Sequence, residues 1–391
     1  MKNIYVLLLF LSTGIGYSQI IQKSSCSEKA YEIVEKALNH MMNLEFLTAR
    51  GMADAALIVD ENCGCAKLII ARVSSSNKDF GSRANKLESI DRSKLSGEEK
   101  VWYDALSTSD SEKYSIVQKA GIDKFPSSPF IHYLGTGGLN YESYKTFAEK
   151  FPEHASSAYN MMSYGYLRGE YGSVDKEKAM EYVKKSQDMH DGPNAYDSMA
   201  EHYASLREFD KAVENQLIAF DYSTFSSPYQ PKLREYWRKA NKEEVVKNLK
   251  QLQSDMQDAI IKGDNEAFQK FVHPDIIIST GDSDLGKFYE FNADDLEVDE
   301  NFSWDTFEVE DMNVYFSIDM KTAVITFYAK GGYTMNGSSE SYDLNGNLKP
   351  NSKFIEYSTR ASSVWVNTNQ GWKTMHSNFA PNKGKVGLPQ N

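Results

Sequence analysis

His376 is the side chain in this sequence best suited to catalysis, because a neutral imidazole can accept a proton near neutral pH and act as a general base. It belongs to a strand-like segment in which alternate residues should share one face. That face is expected to hold Trp372, Thr374, His376 and Asn378. A histidine that only orients a ligand or hydrogen-bonds the sheet is the favoured interpretation, and the alternation does not tell which face lines a pocket.

The three cysteines raise a second chemical question. The spacing Cys63-Gly64-Cys65 could serve metal or redox chemistry, but no histidine lies nearby in sequence, and Cys-x-x-Cys is the usual redox spacing. In an oxidising compartment, a bridge from Cys26 to either Cys63 or Cys65 is the expected alternative. We therefore expect a structural disulfide, one remaining thiol and no metal site.

An acidic stretch offers a third candidate chemistry. Residues 282–311 contain twelve Asp and Glu against a single lysine, Lys287. Clustered carboxylates suit Ca²⁺, but the run "DDLEVDEN" lacks the alternating oxygens and the glycine of an EF-hand loop. A solvated acidic surface is the expected outcome.

Other enzyme classes lack their signatures. The sequence contains no Gly-rich phosphate loop, no Gly-x-Ser-x-Gly elbow and no His-Glu-x-x-His helix. A net charge of −12 without a block of Lys and Arg opposes nucleic-acid binding. We expect no cofactor and no nucleic-acid partner.

The beginning of the chain resembles a bacterial export signal. Lys2 precedes an apolar run from Ile4 to Leu11, and Gly16-Tyr17-Ser18 places small residues at a cleavage site. Residues 1–18 are thus predicted to be a signal peptide cleaved near Ser18, and the protein is predicted to be periplasmic or secreted. No later stretch reaches the length of about 20 apolar residues that a transmembrane helix needs.

Residues 19–241 have the three- and four-residue periodicity of helices, and part of them resembles the tetratricopeptide repeat. In that repeat, large residues and small alanine sites let two helices dock closely. One unit is carried by Tyr196, Met199, Ala200, Tyr203, Phe209, Ala212 and Ala219. The unit before it is carried by Tyr159, Met162, Tyr166 and Ala179. We predict an α-helical repeat array flanked by weaker units.

Residues 242–391 change in character, from one amphipathic helix to segments rich in β-branched and aromatic residues. The motifs "AIIKGDNEAFQKFVHPDIII", "WDTFEVEDMNVYF" and "STRASSVWVNTNQGWKTMHSNFAP", in this order, resemble the SnoaL-like domains of the nuclear transport factor 2-like (NTF2-like) superfamily. The resemblance implies an α+β cone in which a helix packs into a curved antiparallel sheet. The predicted fold class is therefore an α-helical array followed by an α+β domain.

The cone suggests a ligand pocket. Its expected lining residues are Trp304, Tyr328, Arg360, His376 and His273. The favoured function is an exported, non-catalytic binding protein, whose array contacts a protein or peptide and whose cone binds a small molecule or forms a homodimer.

Two alternatives stay open. The NTF2-like resemblance also allows an isomerase, dehydratase or hydrolase in which His376 is the general base, and this predicts that His376 faces the cone interior. The second alternative is a structural component of an envelope assembly.

Overall fold

The structure is a computed structural model of the 391-residue chain. It describes residues 19–74, 76–136, 140–223, 229–274, 277–280, 289–291, 302–335, 340–342, 348–350 and 354–382. The expected signal peptide and most of the acidic stretch lie outside the described residues. Within the described part, no helix is long and apolar enough to cross a membrane.

The chain divides into two compact units, Met1–Leu233 and Arg234–Asn391. This division falls inside one helix, whereas the domain boundary expected after residue 241 coincides with the break between that helix and the next. The order of elements is the predicted one, with helices first and strands afterwards.

The regular secondary structure of the first unit, within its described residues, consists of helices. Its helices are α1 Glu28–Met42, α2 Phe46–Val59, α3 Gly64–Arg72, α4 Asn77–Gly81, α5 Arg83–Glu88, α6 Gly97–Leu106, α7 Ser111–Lys124, α8 Pro129–Tyr133, α9 Tyr141–Lys150, α10 Ser156–Arg168, α11 Lys176–Met189, α12 Pro193–Ser205 and α13 Phe209–Asp221. Helix α14, Tyr229–Ala240, spans the division. Two 3₁₀ helices lie at Arg92–Lys94 and Pro152–His154.

Local sequence explains several helix ends. Ser96 and Glu99 form a reciprocal capping box at the start of α6, which satisfies backbone N–H groups that have no partner inside the helix. Helix α12 begins with Pro193 directly after Gly192, and proline suits a first helical position because its missing N–H is not needed there.

The residues that carry the repeat resemblance differ in burial according to their size. The small and methionine sites are buried between the helices of the pairs α10–α11 and α12–α13, namely Met162, Ala179, Met199, Ala200, Ala212 and Ala219. The aromatic sites are half-buried, namely Tyr159, Tyr166, Tyr196, Tyr203 and Phe209. Small residues at the contact allow the close helix approach that such pairs need.

Residues 19–27 pack against the helices as an irregular segment with several bends. The side chain of Ile21 is fully buried, and the carbonyl of Ile20 accepts a hydrogen bond of 3.1 Å from the backbone N–H of Phe130. The backbone N–H of Lys23 donates to Glu98 Oε2 at 3.0 Å, and that of Ser25 donates to Glu99 Oε1 at 3.0 Å. The segment is therefore part of the folded unit.

A disulfide fixes the end of this segment. Cys26 is bonded to Cys63, with their Cα atoms 4.1 Å apart, so of the two pairings left open by the sequence it is the one to Cys63 that forms. Cys65 is a buried free thiol on α3, and burial raises its pKa well above the ordinary value.

The second unit packs α15, Lys242–Lys262, and the short helix α16, Asn265–Gln269, against a sheet. The strands are β1 Ile277–Thr280, β2 Tyr289–Phe291, β3 Phe302–Phe316, β4 Thr322–Met335, β5 Glu340–Tyr342, β6 Leu348–Pro350, β7 Phe354–Thr368 and β8 Gly371–Pro381. Six strands form one sheet in the order β2-β1-β8-β7-β4-β3, and β5 pairs with β6. The four long strands are antiparallel as expected, while β1 pairs with β8 in parallel.

Helix α15 supplies the apolar side that covers one face of this sheet. Leu249 and Met256 belong to the same core cluster as Ile325, Trp365 and further residues of β4 and β7. The amphipathic pattern of the helix and the alternation of the strands therefore meet in one core. Below, the face of the sheet that packs on α15 is called the inner face, and the opposite one the outer face.

Candidate functional site

Strand β8 changes face at a β-bulge. Thr374 pairs with Trp365, whereas His376 pairs with Val364, so Met375 is the extra residue between two consecutive pairs. Because directly paired residues share a face, Thr374 lies on the inner face and His376 on the outer face. Thr374 and Trp365 are buried, in agreement with this assignment.

The expected face composition of β8 is therefore wrong beyond Thr374. Past the bulge, Ser377 and Phe379 take the inner positions, opposite Ser363 and Ala361. His376 lies on the outer face, so the enzyme alternative's prediction that it faces the cone interior is also wrong. The alternation of residue types in the sequence gives no sign of the extra residue. The role of His376 as a general base stays an untested prediction.

Tyr328 and Arg360 lie on the outer face together with His376. They pair directly with each other across β4 and β7, and both are exposed. With Asn313, Asn378 and neighbouring residues they line an open groove of about 510 Å³. His376 pairs with Val364, four residues along β7 from Arg360, a spacing of about 13 Å at 3.3 Å per residue. The groove thus combines Tyr328 and Arg360, with His376 further along the same face.

Trp304 occupies the inner face. Its ring lies 5.5 Å from Tyr333 and 4.9 Å from Tyr357 between centroids, in edge-to-face arrangements that stabilise aromatic clusters. His273 lies before β1, and its backbone N–H donates to the carbonyl of Thr374 at 2.8 Å. The five residues expected to line one pocket are therefore distributed over two faces and a connecting segment.

Two glutamines of α15 form a polar feature that the sequence analysis missed. Gln253 is fully buried, and its Oε1 accepts hydrogen bonds from Trp365 Nε1 at 3.0 Å and from Ser363 Oγ. Gln257 follows one turn later and is 4% exposed. The Nε2 atoms of both side chains are buried and have no hydrogen-bond partner among the residues that the structure describes.

These two amides belong to the side of α15 that faces the sheet, since residues four apart share a helix face. A buried amide donor without an acceptor costs about 1–3 kcal/mol, so native proteins rarely leave one unpaired. The inner face also carries the hydroxyls of Tyr357 and Thr359, which are 3.1 Å apart. A signal for this feature exists in the sequence, because Gln253 and Gln257 interrupt the apolar stripe that runs through Leu249 and Met256.

The array carries a separate polar cluster on α10, α12 and α14. Lys232 donates to Asp197 Oδ2 at 2.7 Å and forms a second ion pair with Glu201. The hydroxyl of Tyr164 donates to Glu201 and lies 3.3 Å from Ser198 Oγ. Burial raises the pKa of Asp197 in spite of Lys232, while the two carboxylates more than offset burial and raise the pKa of Lys232.

No protein-family model and no curated protein matches the chain. Among solved structures, it is similar to a thermophilic tetratricopeptide-repeat protein of Thermus thermophilus (12% identity, 53% of this chain and 98% of the other, TM-score 0.24). It is also similar to an NTF2-like protein of Cytophaga hutchinsonii (11% identity, 35% and 97%, TM-score 0.25). A third is the association domain of C. elegans CaMKII (17% identity, 37% and 97%, TM-score 0.24). Similarities at this level carry no information on ligand or activity.

Proposed function

We propose that the protein is an exported two-domain binding protein. Its helical array contacts a protein or peptide, and its C-terminal unit binds a small molecule between α15 and the inner face of the sheet. The observation that carries the second part is the pair of buried, unpaired amide nitrogens of Gln253 and Gln257.

The chemistry of the ligand follows from these donors. A molecule with carboxylate or carbonyl oxygens would accept from both amides and remove the cost of leaving them unpaired. The indole of Trp365, which contacts Gln253, supplies an apolar surface of the kind that small-molecule sites generally contain. The ligand class is therefore a small molecule with acceptor oxygens and an apolar body.

Native mass spectrometry of the protein purified from exporting cells tests this part. We expect a bound small molecule in the wild type, its loss in Gln257→Leu, and its retention in Gln251→Leu, which changes an exposed glutamine of the same helix. A ligand-free wild type, or a ligand retained in Gln257→Leu, would contradict the proposal. The polypeptide mass also tests cleavage near Ser18.

The array part is supported by the cluster around Lys232. It joins the three alternate helices α10, α12 and α14, and Glu201 and Lys232 keep side-chain exposures of 28% and 35%. Repeat arrays bind partners along such continuous faces. The cluster thus offers a charged, partly accessible surface to a peptide.

Site-specific photo-crosslinking in exporting cells tests the array. A crosslinker at Arg168, exposed on α10 beside Tyr164, should give a defined protein adduct. The same group at Lys184, exposed on α11, is the control. Equal adducts at both positions, or none at either, would count against a partner on this face.

Homodimerisation through the outer face is a second candidate function. Tyr315, Val324 and Tyr328 are apolar or aromatic side chains on this face with exposures of 59%, 36% and 43%. Tyr315 and Val324 pair directly, which makes them neighbours on an open sheet surface.

Sedimentation equilibrium should then show a dimer that Val324→Lys dissociates. A monomeric wild type would exclude the dimer, and a mass above the dimer would favour the envelope-assembly alternative.

A further inference from the structure

Three side chains from two distant parts of the first unit converge on one point. Glu45 Oε2 lies 2.5 Å from Nδ1 of His40 and 2.9 Å from Nε2 of His190. These three atoms all lie within 4.8 Å of one another. The cluster joins the end of α1 and the turn after it to the residue that ends α11.

The surroundings leave this cluster compact and mostly shielded. Side-chain exposure is 1% for Glu45, 4% for His190 and 19% for His40, so solvent reaches the cluster only on the His40 side. Gly192 lies against it, since a Cβ there would be 2.3 Å from Glu45 Oε1 and 2.4 Å from His190 Nε2. Glycine is therefore required at this close approach.

The remaining atoms are held by neighbours. The backbone N–H of Asn194, in the first turn of α12, donates to Glu45 Oε1 at 3.0 Å. Nδ1 of His190 lies 3.3 Å from the side-chain amide of Asn39. Burial raises the pKa of Glu45, but hydrogen bonds from His190 and His40 more than offset this and hold it below the ordinary value.

We propose that His40, Glu45 and His190 form a binding site for a divalent transition-metal ion, with Zn²⁺ as the ion favoured by this ligand set. Two imidazole nitrogens and one carboxylate oxygen are a set that zinc uses when one coordination position stays open to water. The partial exposure of His40 marks the side from which that water would bind. This site goes beyond the proposed binding function and does not depend on it.

Zinc binding requires a change in where the two imidazole protons lie and a small movement of the side chains. Each imidazole presents a lone pair in place of the N–H that it directs at Glu45, so its proton moves to the other ring nitrogen or is released to solvent. His190 can then donate from Nδ1 to the side-chain oxygen of Asn39 after the amide turns, which is the outer support usual for metal-bound histidines. Donor atoms of a tetrahedral zinc site are about 3.3 Å apart for bonds of about 2.0 Å. Glu45 Oε2 must therefore move away from each nitrogen by less than about 1 Å, and the two nitrogens, which lie within 4.8 Å of each other, must approach by up to about 1.5 Å.

Isothermal titration of the EDTA-treated full-length protein with ZnCl₂ tests the site. We expect one zinc per chain, and affinity reduced at least about 100-fold in His40→Ala. Asn39 is a positioning residue, so Asn39→Ala should reduce the zinc affinity about 10-fold. The matched control is His132→Ala, because His132 belongs to the same unit but bonds to the carbonyl of Pro126. CoCl₂ should give the visible absorption of a four-coordinate site in the wild type and in His132→Ala, and not in His40→Ala.

His40 is the partly exposed member of the cluster, so His40→Ala should fold, which a thermal melt in EDTA checks. Gly192→Ala provides a second variant, in which the added Cβ should abolish zinc binding. A folded wild type that binds no zinc, or unchanged affinity in His40→Ala, would overturn the proposal. The cluster would then be only a hydrogen-bonded link between distant helices.

Discussion

At the residue scale, Gln253 is a specific test of the core of the second unit. Gln253→Ala removes one of the two acceptors of Trp365 Nε1, the other being Ser363 Oγ, and leaves a cavity beneath the sheet. We expect the free energy of unfolding to fall by about 2–3 kcal/mol. Urea unfolding measures it, and Gln251→Ala on the exposed side of α15 should stay within about 0.5 kcal/mol of wild type.

Glu45 should make stability depend on pH. Its pKa in the folded protein lies below the ordinary value, so its ionised form stabilises the fold above the ordinary glutamate pKa of about 4.3, and this contribution is lost as pH falls through the lower folded value. Glu45→Gln should therefore cost about 2–4 kcal/mol at neutral pH and progressively less below about pH 4.

Urea unfolding in EDTA at a series of pH values measures this difference without a metal contribution. Glu32→Gln, which changes an exposed carboxylate of α1 outside the cluster, is the control. A difference between wild type and Glu45→Gln that stays constant down to about pH 3 would contradict the pKa direction.

At the scale of elements, the Cys26–Cys63 disulfide ties the N-terminal segment to the start of α3 across 37 residues of sequence. Closing a loop of this size stabilises the folded state by about 3–4 kcal/mol. Reductant should lower the melting temperature of the wild type and leave Cys26→Ser/Cys63→Ser unaffected. Cys65→Ala should keep the reductant response, and its loss there would mean that the pairing is different.

Elements also explain what the sequence could and could not predict. The periodicity of apolar residues was sufficient to predict the helices and the strands β3, β4, β7 and β8. It was also sufficient to predict that sites such as Ala200 are buried, because both kinds of prediction depend on the local sequence pattern. The side of His376 was not predictable, since one extra residue at Met375 shifts the alternation and leaves no local mark. The Glu45 cluster was not predictable either, because His190 is 145 residues away in sequence and no spacing motif joins them.

At the scale of the whole molecule, the two units have separate hydrophobic cores. One cluster contains residues such as Leu38, Trp102 and Met162, and the other contains residues such as Leu249 and Trp365. Units with their own cores can unfold separately. Differential scanning calorimetry should resolve two transitions. Reductant should lower the midpoint temperature of one, and Gln253→Ala should lower the midpoint temperature of the other. A single transition shifted by both changes would show that the units unfold together.

The packing of residues 19–27 has a consequence for the order of events during synthesis. Ile20 and Gln22 are made early, yet their partners Phe130 and Ser127 follow more than a hundred residues later, as the separation of 105 between Gln22 and Ser127 shows. At about 5–20 residues per second, this interval is roughly 5–20 s. During that time the segment can contact only nearby residues such as Tyr31 and Glu35 and lacks its partners Phe130 and Ser127, so a factor that recognises apolar N-terminal segments has access to it before the late contacts form.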